Sequence, residues 1–194
     1  MKRFLAVLFS FFLLTPPVFA AHYVIDSDHS TVSFKVKHLL SNVQGVFKTF
    51  EGEFDYDPEH PESWKTNAVI QAASIDTNVP QRDKHLKSAD FFDAEKFPVV
   101  TFQSAEVTSV TPTSAKLKGT LTLHGVEKPI ELDLQILGAA TDPWGNTLAS
   151  FSASTTINRK DFGLSWNQVL ETGQLLVGED VVIVLDVAGM LKTQ

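Results

Sequence analysis

Apolar residues recur at every second position along most of this chain, in segments of seven to eleven residues. In TVSFKVKH, Val32, Phe34 and Val36 alternate with Thr31, Ser33, Lys35 and Lys37. A strand points successive side chains to opposite faces, so this spacing predicts a half-buried strand. VFKTFEGEFDY reads as another, with Val46, Phe50, Phe54 and Tyr56 on one face and Thr49, Glu51, Glu53 and Asp55 on the other. AKLKGTLTLH sets Ala115, Leu117, Gly119, Leu121 and Leu123 against Lys116, Lys118, Thr120, Thr122 and His124, and PIELDLQIL aligns Ile130, Leu132, Leu134 and Ile136. Further strands are expected near 67–76, 99–108, 147–157 and 180–190, the first with blurred alternation.

Eight strands with one polar face each, joined mostly by short turns, must hide the other face on themselves. HGVEKP, between two of the clearest strands, is a compact hairpin connection carrying glycine. No repeat, low-complexity tract or linker divides the chain. The expected fold class is therefore all-β: one closed or sandwiched antiparallel domain of about eight strands, a single β-barrel if closed. The exception is 78–97, NVPQRDKHLKSADFFDAEKF, where Pro80 suits a first helical turn and Pro98 stops the pattern. A short helical insert near 80–96 packs over the sheet, with Arg82, His85 and Ala89 on one face at spacings of three and four. The inward set mixes Phe34, Phe50, Phe54, Leu121, Leu123, Leu132, Leu134 and Phe151 with small Gly52, Ala73, Gly119, Ala153 and Gly189. About eight strands mark the boundary between a plugged interior and one with room for an elongated ligand. The inward glycines fit either case: room for a ligand, or twist, bulges and close packing.

Composition narrows the setting. MKRFLAVLFSFFLLTPPVFA has two initial cations, an apolar run from Phe4 to Leu14 and a small-x-small site at Val18-Phe19-Ala20, which reads as an export signal over 1–20 cleaved after Ala20. The mature domain is then 21–194, free and soluble in the periplasm. The apolar run is about half the ~20 residues a spanning helix needs, so no stable membrane insertion is expected. Removing Lys2 and Arg3 leaves fourteen basic against twenty-three acidic residues, a net charge of −9 with neutral histidines. Such a field argues against nucleic acid as a partner. No cysteine is present, which removes disulfides, thiolate catalysis and cysteine-based zinc sites.

The chemistry-bearing residues are few. The six histidines are scattered without ligand spacing, so no metal site is expected. RDKHLKS places Asp83, His85 and Ser88 close in sequence. Residues two apart on a helix diverge, however, and there is no nucleophile elbow, so no catalytic residue is assigned. Neither a phosphate loop nor a dinucleotide fingerprint appears, and no cofactor is expected. In TDPWGN, Asp142, Pro143, Gly145 and Asn146 form a turn and Trp144 covers the barrel end. NRKDFGL, 158–164, is either a solvated loop or a second piece of a cavity rim.

RDKHLKSADFFDAEKFP, GTLTLHGVEKPIEL, FKVKHLLSNVQGVFKTFEGEFDYD and DPWGN together resemble the YceI-like family of bacterial periplasmic proteins, in the family's order and over nearly the whole mature chain. Arg82, Asp83, His85, Leu86, Asp90 and Phe91 match its helical motif, and His38, Asn42 and Gly45 its early one. Leu40 stands where the family commonly has glycine, which puts the loop after His38, and so one pore end, in question. The resemblance implies a single extended, lipocalin-like antiparallel β-barrel whose elongated apolar pore holds a polyisoprenoid chain such as an isoprenoid quinone or a polyprenyl phosphate, in a binding or carrier protein, some members being linked to stress responses. On that reading Phe34, Phe50, Phe54, Phe91, Phe92, Leu121, Leu123, Leu132, Leu134 and Phe151 line the pore. Arg82, Lys84, His85 and Lys87 then meet the head group at its mouth. Three further readings, one of Arg82 and two of the barrel, remain open. Arg82 could instead pair with Asp83, Asp90 or Asp93 and staple the helix. The protein could instead be a hydrolase-like enzyme acting on a small amphiphile through His85 and Asp83, or a structural, partner-binding domain with a filled core. A monomer and a homodimer are equally compatible with the sequence.

Overall fold

A computed structural model describes residues 20–171 and 173–192. All but the last residue of the expected export signal lies outside them. Eleven strands follow in order: β1 (Ala21–Ile25), β2 (Thr31–His38), β3 (Ser41–Phe47), β4 (Phe50–Tyr56), β5 (Lys65–Gln71), β6 (Ile75–Asp76), β7 (Val99–Thr108), β8 (Ser114–Leu123), β9 (Val126–Thr141), β10 (Thr147–Asn158) and β11 (Val177–Leu191). One α-helix, α1 (Pro80–Lys87), lies between β6 and β7. Every strand pair is antiparallel, and β1 pairs with both β4 and β11, which closes the sheet.

The eleven strands make eight staves. β1 and β2 lie end to end along β11, opposite 189–191 and 177–186 respectively. Their partners β4 and β3 are likewise end to end, as are β5 and β6 beyond them. Three staves are therefore each broken once, and the result is a closed eight-stranded antiparallel barrel. The break at Lys48-Thr49 changes which residues face inward. Phe47, not Val46, meets the interior on β3, whereas Phe50, Phe54 and Tyr56 do so on β4. The expected single strand over 46–56 is corrected on that point, because a two-residue step between β3 and β4 resets the alternation. Ala73 is also not inward: it sits exposed in the 3-10 turn Ala72–Ser74 between β5 and β6.

Two of the inward glycines seat rings, and Gly52 abuts the Asn67 carbonyl and Ile25, rather than leave space. A Cβ on Gly119 would collide with the ring of Phe102, and one on Gly189 with the ring of Phe54. The tight turn after β8 uses His124 and Gly125, both at positive φ (53° and 74°), as a two-residue hairpin with the sheet's twist requires.

The upper end of the barrel carries α1, the 124–125 turn and the segment between β10 and β11; the lower end carries the start of β1 and the 57–64 loop. The helix is shorter than 80–96. Ser88 turns extended, its N–H and its Oγ both donating to the His85 carbonyl (3.1 and 2.7 Å), and Asp93 adopts φ 44°. Residues 88–98 then return across α1 through Phe92 N–H to Leu86 O (2.9 Å) and Ala94 N–H to Lys87 O (3.0 Å), so Ala89 lies beyond the helix. Trp144 is 84% exposed at the tip of its turn and covers nothing. Among the described residues no helix is long and apolar enough to cross a membrane.

Candidate functional site

The interior is not filled. Between an upper core cluster around Phe102, Leu121, Leu132 and Phe162 and a lower one around Tyr23, Phe54, Tyr56 and Trp64 runs a cavity of about 360 Å³. That volume falls within the ~300–1,000 Å³ of small-molecule sites. Its wall is apolar: Val32, Val36 and Val43 from β2 and β3, Leu117, Leu121 and Leu123 from β8, Ile130, Leu132 and Leu134 from β9, and Val181, Ile183, Leu185 and Val187 from β11. On β2 and β8 the outer positions between them are Lys, Thr and Ser, whereas β11 turns Val182 and Val184 outward as well; in each case the alternation that closes the barrel also greases its bore.

All ten apolar side chains singled out from the sequence, Phe34, Phe50, Phe54, Phe91, Phe92, Leu121, Leu123, Leu132, Leu134 and Phe151, line this cavity. Of the four cations, Arg82 and His85 line it and Lys84 and Lys87 do not. The two lysines border a shallow outer groove with Lys48, Asp76, Asp83 and Glu95. One turn of helix separates Arg82 from His85, which aims both at the bore; residues 84 and 87 fall on the other side.

At the upper mouth Arg82 Nε donates to Thr77 Oγ1 and Arg82 Nη2 to the Thr77 carbonyl, both at 2.8 Å. Asp83 instead accepts from the Thr77 N–H (2.8 Å) and hydroxyl (2.6 Å). Arg82 thus has no carboxylate partner among the described residues, and in place of the alternative pairing with Asp83, Asp90 or Asp93 it is anchored to buried Thr77. His85 Nε2 lies 2.8 Å from Asp90 Oδ2, while its ring stands edge-on to Phe91 (5.0 Å) and Trp166 (4.9 Å). Asp83 does not orient His85, and Ser88 Oγ is turned to a backbone carbonyl, so Asp83, His85 and Ser88 do not assemble as a relay.

The sequence reading left three mouth residues unassigned. Arg159, only 4% exposed, lines the cavity and donates to the backbone carbonyls of Gly178 (2.8 Å) and Leu164. Burial pushes its pKa down and Glu179 nearby opposes this. Glu179 is itself held below the usual carboxylate range by Lys160. NRKDFGL therefore contributes Arg159 and Leu164 to the rim while Lys160, Asp161 and Gly163 stay solvated, so both readings of its mixed basic and aromatic composition hold in part. Trp166 and His38 also line the cavity; Trp166 sits in an irregular segment with no periodicity to mark it. Phe47, hidden by the register break, completes an edge-to-face contact with Phe92 at 5.6 Å. Among the described residues no cluster of three His, Asp or Glu is placed to hold a metal.

The sequence profile of the YceI-like domain matches residues 23–188. A UPF0312 protein of Vibrio cholerae is 43% identical over 148 residues, covering 75% of this chain and 78% of that protein. The crystal structure of the Campylobacter jejuni YceI protein superposes with a TM-score of 0.70 at 34% identity, covering 81% of this chain and 90% of that one. A polyisoprenoid binding domain from Saccharophagus degradans, implicated in plant cell wall breakdown, shares the fold at a TM-score of 0.63 and 15% identity, covering 89% and 99%.

Proposed function

From a chain that belongs to the YceI-like family, we propose a periplasmic binding or carrier protein that holds one long-chain isoprenoid lipid, an isoprenoid quinone or a polyprenyl phosphate, in the barrel bore. The observation that carries this reading is the unfilled apolar cavity with Arg82, which has no carboxylate partner among the described residues, at one end and apolar wall below it. A barrel with the same fold is described as polyisoprenoid-binding in Saccharophagus degradans, which supports the choice of ligand.

The energetics divide between tail and head. Each buried CH₂ is worth roughly 0.8 kcal/mol, so a tail of several isoprene units supplies most of the affinity. The head group stays at the upper mouth, where Arg82 keeps its Nη1 N–H groups free of the Thr77 bonds, while His85 Nε2 is engaged by Asp90. Donors of this kind favour a carbonyl or phosphate oxygen, and a charged acceptor more than a neutral one. Phe91, Phe92 and Trp166 continue the apolar wall to the level of these donors, so the first isoprene unit is desolvated where the head group begins. The protein acts by binding, with the lipid as ligand rather than cofactor, and the export signal at 1–20 delivers it to the periplasm.

The test is extraction of protein purified from its own cells, followed by mass spectrometry. A prenyl lipid near one per chain is expected; its absence, with the barrel folded, removes the proposal. A turnover abolished by His85→Ala with lipid content unchanged would replace binding by catalysis.

A further inference from the structure

The lower end of the bore is built differently from the rest of it. Phe151, facing inward from β10, packs edge-on against Phe54 (5.4 Å) and Tyr56 (5.0 Å) and lies 6.2 Å from Trp64. Tyr56 and Trp64 meet at 4.8 Å, and Phe54 stacks on Tyr23 at 5.1 Å, 12° from parallel. Four of these five rings border the cavity, and Phe151 touches the other three. Aliphatic walls above them yield by rotamer change, whereas interlocked rings at such spacings have few alternative packings. The cluster is also pinned from outside. Trp64 Nε1 donates to the Asp57 carbonyl at 2.5 Å, the Trp64 N–H closes the Pro61–Ser63 turn, and the Phe54 ring occupies the place a side chain at Gly189 would take.

We propose that Phe151, supported by Phe54, Tyr56 and Trp64, is a floor that sets the longest tail the pore accepts, which makes these rings the determinants of ligand chain length. This rests on the isoprenoid reading above. A uniformly apolar bore binds every added unit more tightly than the last, by an increment per CH₂, and so cannot prefer one length. Only a stop does so. Seven residues of β10 separate Phe151 from Asn158 at the upper end, about 18 Å along the axis after ~3.3 Å per residue is corrected for a strand tilt near 40°. A tail longer than the bore must double back or leave its last units in water. Ala153, two residues above Phe151 on the same inward face and also lining the cavity, leaves the bore open one layer higher.

The experiment uses the mature protein, delipidated and refilled with a series of all-linear prenols from farnesol upward, their affinities read by displacement of a fluorescent probe. Wild-type affinity is expected to climb with each isoprene unit and then level off at a break. Phe151→Ala moves that break to longer prenols, and the first prenol past the wild-type break binds the variant at least about tenfold tighter than wild type. Ala153→Leu moves the break the other way, and thermal melts confirm that each variant is folded. Prenols that bind with a break identical in the wild type and in either folded variant, or with no break at all, overturn the floor and leave the isoprenoid reading standing. Failure of every prenol to bind overturns both.

Discussion

The two ends of the bore are held by different forces. Below, rings lean on rings: Tyr23, Phe54, Tyr56, Trp64 and Phe151 form one packed unit, and burial lifts the Tyr23 and Tyr56 phenols above their ordinary pKa. Above, Arg82 and Arg159 are fixed by hydrogen bonds to Thr77, Gly178 and Leu164, with Trp166 and Phe91 set around His85. Packing is strong and unselective for charge; hydrogen-bonded cations add little to stability and much to recognition. The lower end is therefore expected to govern folding and tail length, the upper end head-group choice.

The largest expected effect breaks the lower end. Phe54→Ala removes a buried ring that stacks on Tyr23 and abuts Phe151, and should cost about 3–5 kcal/mol in urea unfolding. A loss below about 1 kcal/mol would mean that the rings are not a packed unit. At the upper end, Arg82→Met should weaken a polyprenyl phosphate by about 10–100-fold, the loss of a charged hydrogen bond worth ~1.5–3 kcal/mol, while leaving the prenol of equal length almost unaffected. Equal losses for both ligands would place Arg82 in the wall and not in head-group recognition.

A smaller, pH-dependent effect separates the ends further. In the loop that carries Trp64, His60 lies 3.0 Å from Asp57. Hydrogen bonding to Asp57 raises the His60 pKa above 6.5, so that contribution is full below about 6.5 and is lost as pH rises through the raised value. The Glu59 N–H and then His60 lower Asp57 below 3.8, so its contribution is full above about 3.8 and is lost as pH falls through the lowered value. The melting temperature should therefore hold a plateau between about 4 and 6.5, and His60→Gln should flatten its high-pH edge; an unchanged profile would show the pair to be screened. Smallest of all, Lys84→Met and Lys87→Met, on the outer groove, should change stability by less than about 0.5 kcal/mol and leave both ligands' affinities where they were. A tenfold loss with either would bring the outer groove into the binding site.

How far the site was legible follows from where periodicity holds. Leu121, Leu123, Leu132 and Leu134 stand on uninterrupted strands, and alternation alone turned them inward. Phe47 was lost because the step at Lys48-Thr49 resets parity, which no count of alternating positions detects. Arg82 and His85 were separable from Lys84 and Lys87 by helical spacing, yet which face met the bore depended on how α1 is seated, through Asp83 and Arg82 on Thr77. Trp166 and Arg159 lie in irregular chain, where only the neighbours a residue acquires decide its role.

By itself the sequence determined that eight apolar faces must close on one another, since a two-residue period leaves each strand one greasy side and water on the other. It also placed a short cationic helix between two proline stops. Whether the closed interior would be full or hollow was settled only in three dimensions. Two of the inward glycines, Gly119 and Gly189, which fitted either ligand space or close packing, are taken up by Phe102 and Phe54, while the free space lies elsewhere, between rings at one end and backbone-held cations at the other. A void is the difference between the volume a barrel encloses and the volume its side chains occupy, and that difference depends on tilt, register and rotamer together, none of which any single segment specifies.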